Sequence, residues 1–286
     1  MAGTLEEFRE VVRNALKEDL GAGDATTDST IPADAQAIAH MVAREPLVAA
    51  GLDLARMAFE ERGPTLKFES AVDDGAKVKK GGTLLSIRGN ARAILEAERV
   101  ALNFVQHLSG IATLTNKFVE AVKGTSAKIL DTRKTLPGCR KLQKYAVKCG
   151  GGHNHRFGLD DMILIKDNHL AVLRKTSEDP IGVAVLSARA KYPKLKIEIE
   201  ADNLEQVIQA VRAGADIILL DNMDTQTLLL AVDLARKGGA VQTEASGGVT
   251  LESVKNIAAT GVDFISVGAI THSARAVDIA LDFELQ

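Results

Sequence analysis

Between Asp131 and His169 the chain reads DTRKTLPGCRKLQKYAVKCGGGHNHRFGLDDMILIKDNH. Eight cations fall there (Arg133, Lys134, Arg140, Lys141, Lys144, Lys148, Arg156 and Lys166) against four aspartates, in a chain whose formal net charge is −3. Three of the six histidines, His153, His155 and His169, stand in the same stretch, beside three consecutive glycines. A local positive excess in a slightly acidic protein points to a held anion. Arginine offers carboxylate or phosphate a planar fork, and lysine a mobile point charge.

Other chemistries lack their residues. There is no GxxxxGK[ST], no strand-linked GxGxxG, no HExxH, no CxxC and no G-x-S-x-G. Cys149, His153 and His155 have no fourth ligand at zinc-like spacing. Cys139 and Cys149 are ten apart on what reads as one helix, roughly 15 Å, which is too far for a disulfide. The pI near 6.1 and the absence of Trp argue against nucleic acid as a partner. MAGTLEEFREVVRNALKEDL reads as an acidic amphipathic helix over about 4–19, unlike a signal peptide, and no run approaches the roughly 20 apolar residues of a membrane span. The expected setting is cytoplasmic and reducing, with no membrane partner.

The elements that must position these residues come in two styles. Up to about residue 112 the pattern is irregular: a turn-rich loop GAGDATTDST, a strand pair in AQAIAHMVAREPLVAAG, a short helix stopped by Gly63, glycine-punctuated antiparallel strands over 65–89, and a long helix bent near Gly110. After Lys128 a rhythm sets in. AKILD, MILIK, KIEIE, DIILLD, VQTEA and DFISVG are short strands, each followed by a turn and a helical pattern. Asp202 or Asn203, Asp224 and Thr250 sit where helix N-caps belong, and Gly214, Gly238 and Gly261 where helices stop. Such alternation predicts an incomplete parallel β/α barrel, TIM-like, over 113–270. The N-terminal α+β domain with its small antiparallel sheet takes 1–112, and a C-terminal helix within 271–286 packs back on it.

Polar residues end nearly every predicted strand: Asp131 with Arg133 and Lys134, Lys166, Glu200, Asp221, then Glu244 with Ser246. Barrel strands converge their C-terminal ends on one face, where barrel active sites lie. ASGGVT and VGAITHS close the last two strands. Glycine turns and helix starts there free backbone N–H groups for a phosphate.

DTRKT, GGGHNHR, IKDNH, EIEAD, LLDN, ASGG and VGAITHS, in this order and together with AERVALNFVQHLSGIAT, resemble the quinolinate phosphoribosyltransferase family of type II phosphoribosyltransferases over essentially the whole chain. The resemblance implies a reaction: quinolinate and phosphoribosyl pyrophosphate give nicotinate mononucleotide, pyrophosphate and CO₂, with Mg²⁺, in NAD biosynthesis. By motif position it implies a quinolinate shell of Arg99, Arg133, His155, Arg156 and Lys166, and a pyrophosphate contact at Lys134. Glu200 and Asp221 would meet Mg²⁺ or the ribose hydroxyls, and Ser246, Gly247, Gly248 and Gly268 the 5′-phosphate. Lys134, Lys166, Glu200 and Asp221 form the implied catalytic set. Arg99 would serve the partner subunit's site, covered by the N-terminal domain, in a homodimer or larger homo-oligomer.

Other residues read more plainly. Arg140, Lys141, Lys144 and Lys148 form a mostly solvated helix face, with Arg140 and Lys141 as exceptions. His153 belongs to a loop, His169 to structural hydrogen bonding, His107 to the seam between domains, and Cys149 to the interior. Glu244 either meets ribose or supports its neighbours. Two rivals remain. A phosphoribosyltransferase acting on nicotinate would need to hold a single carboxylate, which the surplus of cations disfavours. DDGAKVKKGGTLLSIRG is similar to biotinyl or lipoyl carrier hairpins, but Lys77, Lys79 and Lys80 are clustered where a carrier presents one lysine.

Overall fold

Helix α1 (Leu5–Leu20) opens residues 5–284, which a computed structural model describes. Its acids, Glu6 and Glu7, fall in the first turn and Lys17 in the last, matching the helix dipole. The expected loop after it contains a helix instead, α2 (Ala25–Thr30). Asp24 accepts the Thr27 N–H at 3.0 Å, and that side-chain cap starts a turn where composition alone suggests none.

Next come β1 (Gln36–Ala43), β2 (Leu47–Val48), α3 (Leu52–Arg62), β3 (Lys67–Ser70), β4 (Lys77–Val78) and β5 (Thr83–Asn90). The strand pair expected in 35–51 does not form: β1 pairs antiparallel with β5, and β2 with β4. Helix α4 (Ala91–Ala121) runs through Gly110 without a break. A Cβ at Gly110 would lie 2.1 Å from the Arg275 carbonyl oxygen. Glycine is there for a close approach of backbone.

The chain's end also differs from expectation. Only α11 (Ala269–His272) is helical, and residues of the predicted C-terminal helix form β12 (Ile279–Glu284), antiparallel to β1 with Met41 opposite Leu281. Val277, Ile279, Leu281 and Phe283 alternate with period two, and β1 offers an open ladder edge, so pairing outcompetes the helix. The segment still joins the N-terminal sheet, whose order is β12-β1-β5-β3.

The chain divides into two units. One takes it as far as Asn116, adds Leu136–Gly151 and resumes at Ile270; the other is Lys117–Thr135 with Gly152–Ala269. The expected boundaries of 112 and 270 therefore miss an excursion. It contains α5 (Arg140–Cys149), which buries Leu142, Ala146 and Val147. Tyr145 donates to Asp74 at 2.6 Å, and Asn116 to the Gly150 carbonyl at 3.3 Å, tying this helix to the first unit.

In the second unit β6 (Lys128–Leu130), β7 (Ile163–Ile165), β8 (Ile197–Ala201), β9 (Ile217–Asp221), β10 (Gln242–Ser246) and β11 (Phe264–Ser266) are the six strands read from the sequence. They are all parallel, in the order β6-β11-β10-β9-β8-β7. That order is a barrel closed between its first and last strands and open between its first and second. At the gap His153 bridges to Leu130, with its N–H on the Ile129 carbonyl at 2.8 Å.

Helices α6 (Asp167–Leu173), α7 (Pro180–Lys191), α8 (Leu204–Ala213), α9 (Thr225–Gly238) and α10 (Val254–Ala259) follow strands β7 to β10. Asn203 and Asp224 cap α8 and α9 as predicted, accepting from Gln206 and Thr227 N–H. Thr250 is not a cap. It exchanges hydrogen bonds with Ser253, and α10 begins only at Val254.

Candidate active site

Six strand ends meet at one cavity of about 490 Å³, whose lining comes from the second unit alone. Thr132, Arg133 and Lys134 follow β6, and Lys166 follows β7. Glu200 is the penultimate residue of β8, Asp221 ends β9 with Asn222 directly after it, and Ser266 ends β11. Glu244, Ser246, Gly247 and Gly248 come from β10 and its turn, and His155 and Arg156 from the segment in the barrel gap. The cavity is thus the C-terminal mouth of the barrel, as the polar strand ends predicted.

Of the residues expected in the site, Arg133, Lys134, His155, Arg156, Lys166, Glu200, Asp221, Ser246, Gly247 and Gly248 line it. Gly268, just beyond β11, and Arg99, exposed on α4 in the first unit, do not. The helix face expected to be solvated is only partly so. Lys148 is exposed, Lys141 pairs with Glu7 at 2.7 Å, and Lys144 is buried. His169 is structural, its Nδ1 accepting the Lys166 N–H at 2.9 Å and so fixing the start of α6. His107 bonds Gln143 within the first unit.

The cations are crowded together. Burial and then the Arg133 charge lower the hold of Arg156 on its proton, while Glu198 and Asp161 oppose them. Like charges gathered beside a cavity favour an anion within it. Across from them, burial lifts the Glu200 carboxyl above the usual range. Lys166, with Nζ 3.9 Å from Glu200 Oε2, pulls it back, and Asp221 pushes it further up. Oxygens of Glu200, Asp202 and Asp221 lie within 4.8 Å of one another, so the exposed Asp202 joins the expected pair. Hard oxygen donors of this kind fit Mg²⁺, which takes one or two carboxylates and fills its sphere with water and substrate phosphate.

The glycine turn has its own logic. Gly247 has φ 96°, and a Cβ there would strike Asn222 Oδ1 at 2.1 Å. Asn222 is itself left-handed, at φ 51°, with its N–H on the Ser246 carbonyl at 2.9 Å. The two turns lock together. Gly248, also at positive φ, faces open space: among the described residues no atom beyond its chain neighbours lies within 4 Å of where its Cβ would stand.

Beneath the cations lies a group the sequence reading missed in part. His155 Nε2 is 3.1 Å from Glu198 Oε2 and 3.4 Å from Glu244 Oε2, and Ser266 donates to Glu244 Oε1 at 2.5 Å. Burial opposes the charged imidazole, but the two carboxylates outweigh it and raise His155 to about 10. Burial and the Glu244 charge push Glu198 up as well. The Arg156 N–H donates to His155 Nδ1 at 2.7 Å, so the ring's own N–H is at Nε2, the atom that faces Glu198 and Glu244. Glu244 thus supports a neighbour, one of its two expected roles. For Glu198 the only sequence signal was the alternation in KIEIE, which sets it on the same strand face as Glu200.

A β/α barrel with clustered cations, an acid pair and a glycine turn at its C-terminal mouth is an enzyme of the anion-binding barrel class. Residues 24–109 match the pattern described as quinolinate phosphoribosyl transferase, N-terminal domain, and residues 111–282 match that of the C-terminal domain. The chain belongs to the quinolinate phosphoribosyltransferase family. The nicotinate-nucleotide pyrophosphorylase (carboxylating) of Mycobacterium leprae (strain TN) is 46% identical over 282 residues, 96% of each chain. The mitochondrial quinolinate phosphoribosyltransferase (decarboxylating) 2b of Nicotiana tabacum is 43% identical over 300 residues, covering 98% of this chain and 83% of its own. The solved nicotinate-nucleotide pyrophosphorylase from Francisella tularensis superposes with a TM-score of 0.91 at 40% identity, over 98% of this chain and 96% of that one.

Proposed function

We propose that the protein transfers the phosphoribosyl group of phosphoribosyl pyrophosphate to quinolinate with loss of CO₂, giving nicotinate mononucleotide and pyrophosphate for NAD biosynthesis. The observation that supports this best is that the cations Arg133, Lys134, Arg156 and Lys166 share one cavity with the Glu200–Asp221 acids. A dicarboxylate and a pyrophosphate need that many positive partners, while the ribose hydroxyls need acceptors.

Arg133, Arg156 and His155 clamp the two carboxylates and hold the pyridine nitrogen near C1 of the ribose, so a two-body encounter becomes a positioned one. The Ser246–Gly248 turn takes the 5′-phosphate through backbone N–H groups. Glu200 and Asp221 accept from the ribose hydroxyls and stabilise positive character at C1, and Lys134 stabilises the departing pyrophosphate. Glu200 and Asp221 are the residues that would hold Mg²⁺, which would supply further positive charge for the leaving group. Once the nitrogen is glycosylated, its positive charge stabilises the electron pair left at C2 as that carboxylate departs as CO₂, and that pair then takes a proton from solvent or from a neighbouring ammonium to give the C2–H of the product. Lys166 or His155, both in the cavity lining, polarises this step.

The working form is a homodimer or larger homo-oligomer in which Arg99 completes the partner's quinolinate clamp. The protein acts in the cytoplasm; no helix among the described residues is long and apolar enough to cross a membrane. Incubation with phosphoribosyl pyrophosphate, Mg²⁺ and either quinolinate or nicotinate tests the reading. Mononucleotide should form from quinolinate and not from nicotinate; turnover of nicotinate would overturn the two-carboxylate account.

A further inference from the structure

Glu198 is fully buried on β8 and does not line the cavity, so anion binding does not account for it. Its strand neighbours Ile197 and Ile199, on the opposite face of β8, are fully buried as well. Only Oε2 of Glu198 reaches His155; Oε1 has no hydrogen-bond partner among the described residues. A buried carboxylate with an unsatisfied oxygen costs stability, and an apolar side chain of similar volume would cost less. What it gains is control of one ring.

Four strands contribute to that control. Asp131, after β6, accepts the His155 N–H at 2.9 Å. Glu198 and Glu244, from β8 and β10, flank Nε2, and Ser266 on β11 holds Glu244. The residue they converge on belongs to the irregular segment 152–162, which lies between the two open edges of the sheet and contributes one bridge to it. Such a segment has little ladder of its own to fix it. Arg156 follows directly, tied back by its Nη1 to the Met162 carbonyl at 3.1 Å.

We propose that Glu198 is a positioning residue: with Glu244 and Ser266 it fixes the His155 imidazole, and through it the segment that offers His155 and Arg156 to the acceptor's carboxylates. The inference rests on the quinolinate reading of the cavity. Glu198→Gln keeps the shape and an acceptor but removes the charge, whereas Glu198→Ala removes both.

In steady-state assays with the full-length protein, the quinolinate KM should rise about ten- to a hundredfold in Glu198→Gln and further in Glu198→Ala, as for loss of a charge-assisted hydrogen bond. The KM for phosphoribosyl pyrophosphate should stay within about threefold. Glu198→Gln should keep the wild-type circular dichroism spectrum, so that its KM is read on folded protein. Without substrate, ¹⁵N-histidine spectra, assigned against His155→Gln, should show a slowly exchanging Nε2–H in wild type that Glu198→Gln loses. Should quinolinate not turn over in wild type, the acceptor reading fails while these spectra still decide whether Glu198 holds the ring. An unchanged quinolinate KM, equal rises in both KM values, or an unmoved ring signal would overturn the proposal.

Discussion

His155 and Glu198 lie together, 3.1 Å apart, and the folded protein holds their protons more tightly than the unfolded chain does. His155 is raised from 6.5 to about 10, and Glu198 is raised too. The share of His155 in stability is therefore full below its ordinary value of about 6.5 and is lost as pH climbs toward 10, whereas that of Glu198 is full only below the ordinary carboxylate value of 4.5 and is lost by about 7. Urea midpoints measured from pH 7 to 10 should fall more steeply in wild type than in Glu198→Gln. Parallel curves would mean that the cluster does not titrate as described. At this scale the cations were legible because they stand out in an acidic chain. Glu198 was not: a charged residue alternating with isoleucine in KIEIE reads as a solvent-facing position, and only closure of the sheet turns that face inward.

Among the elements, α4 makes the sharpest case. Its sequence carries a glycine that reads as a bend, yet the helix is continuous, and the glycine admits the Arg275 carbonyl. Gly110→Ala should gain about 1 kcal/mol of helix propensity and lose about 1–3 kcal/mol to overpacking, for a net destabilisation of about 0–2 kcal/mol by denaturant titration. A stabilised variant would show that the approach is loose. Six strands and two helix caps of the second unit were legible because each is local: a β-branched run, then Asn203 or Asp224, then an apolar stripe. The C-terminal strand was not, because its partner β1 lies more than 230 residues earlier, as Met41 opposite Leu281 shows. Hydrogen bonds offered by a distant strand edge leave no mark on local periodicity.

For the whole molecule, the cavity's lining from the second unit alone leaves Arg99 without a role in it. A dimer in which Arg99 crosses to the partner gives it one. Arg99→Ala and Lys134→Ala should each be nearly inactive, but subunits mixed at equal ratio should recover about a quarter of wild-type activity, because half of the dimers then hold one intact site. No recovery on mixing would show that Arg99 does not act across subunits. The excursion of Leu136–Gly151 into the first unit also belongs to this scale. It was not legible because a helix between two barrel strands reads as a barrel helix, whichever unit buries its apolar face.

The central claim is that the cavity binds a pyridine dicarboxylate, glycosylates its nitrogen and releases the adjacent carboxylate. The most direct measurement uses quinolinate labelled either at the C2 or at the C3 carboxyl, with phosphoribosyl pyrophosphate and Mg²⁺. The C2 label should leave as CO₂ in step with mononucleotide formation, and only when phosphoribosyl pyrophosphate is present; the C3 label should stay in the nucleotide. Mononucleotide that keeps both labels, or CO₂ released without phosphoribosyl pyrophosphate, would contradict the account.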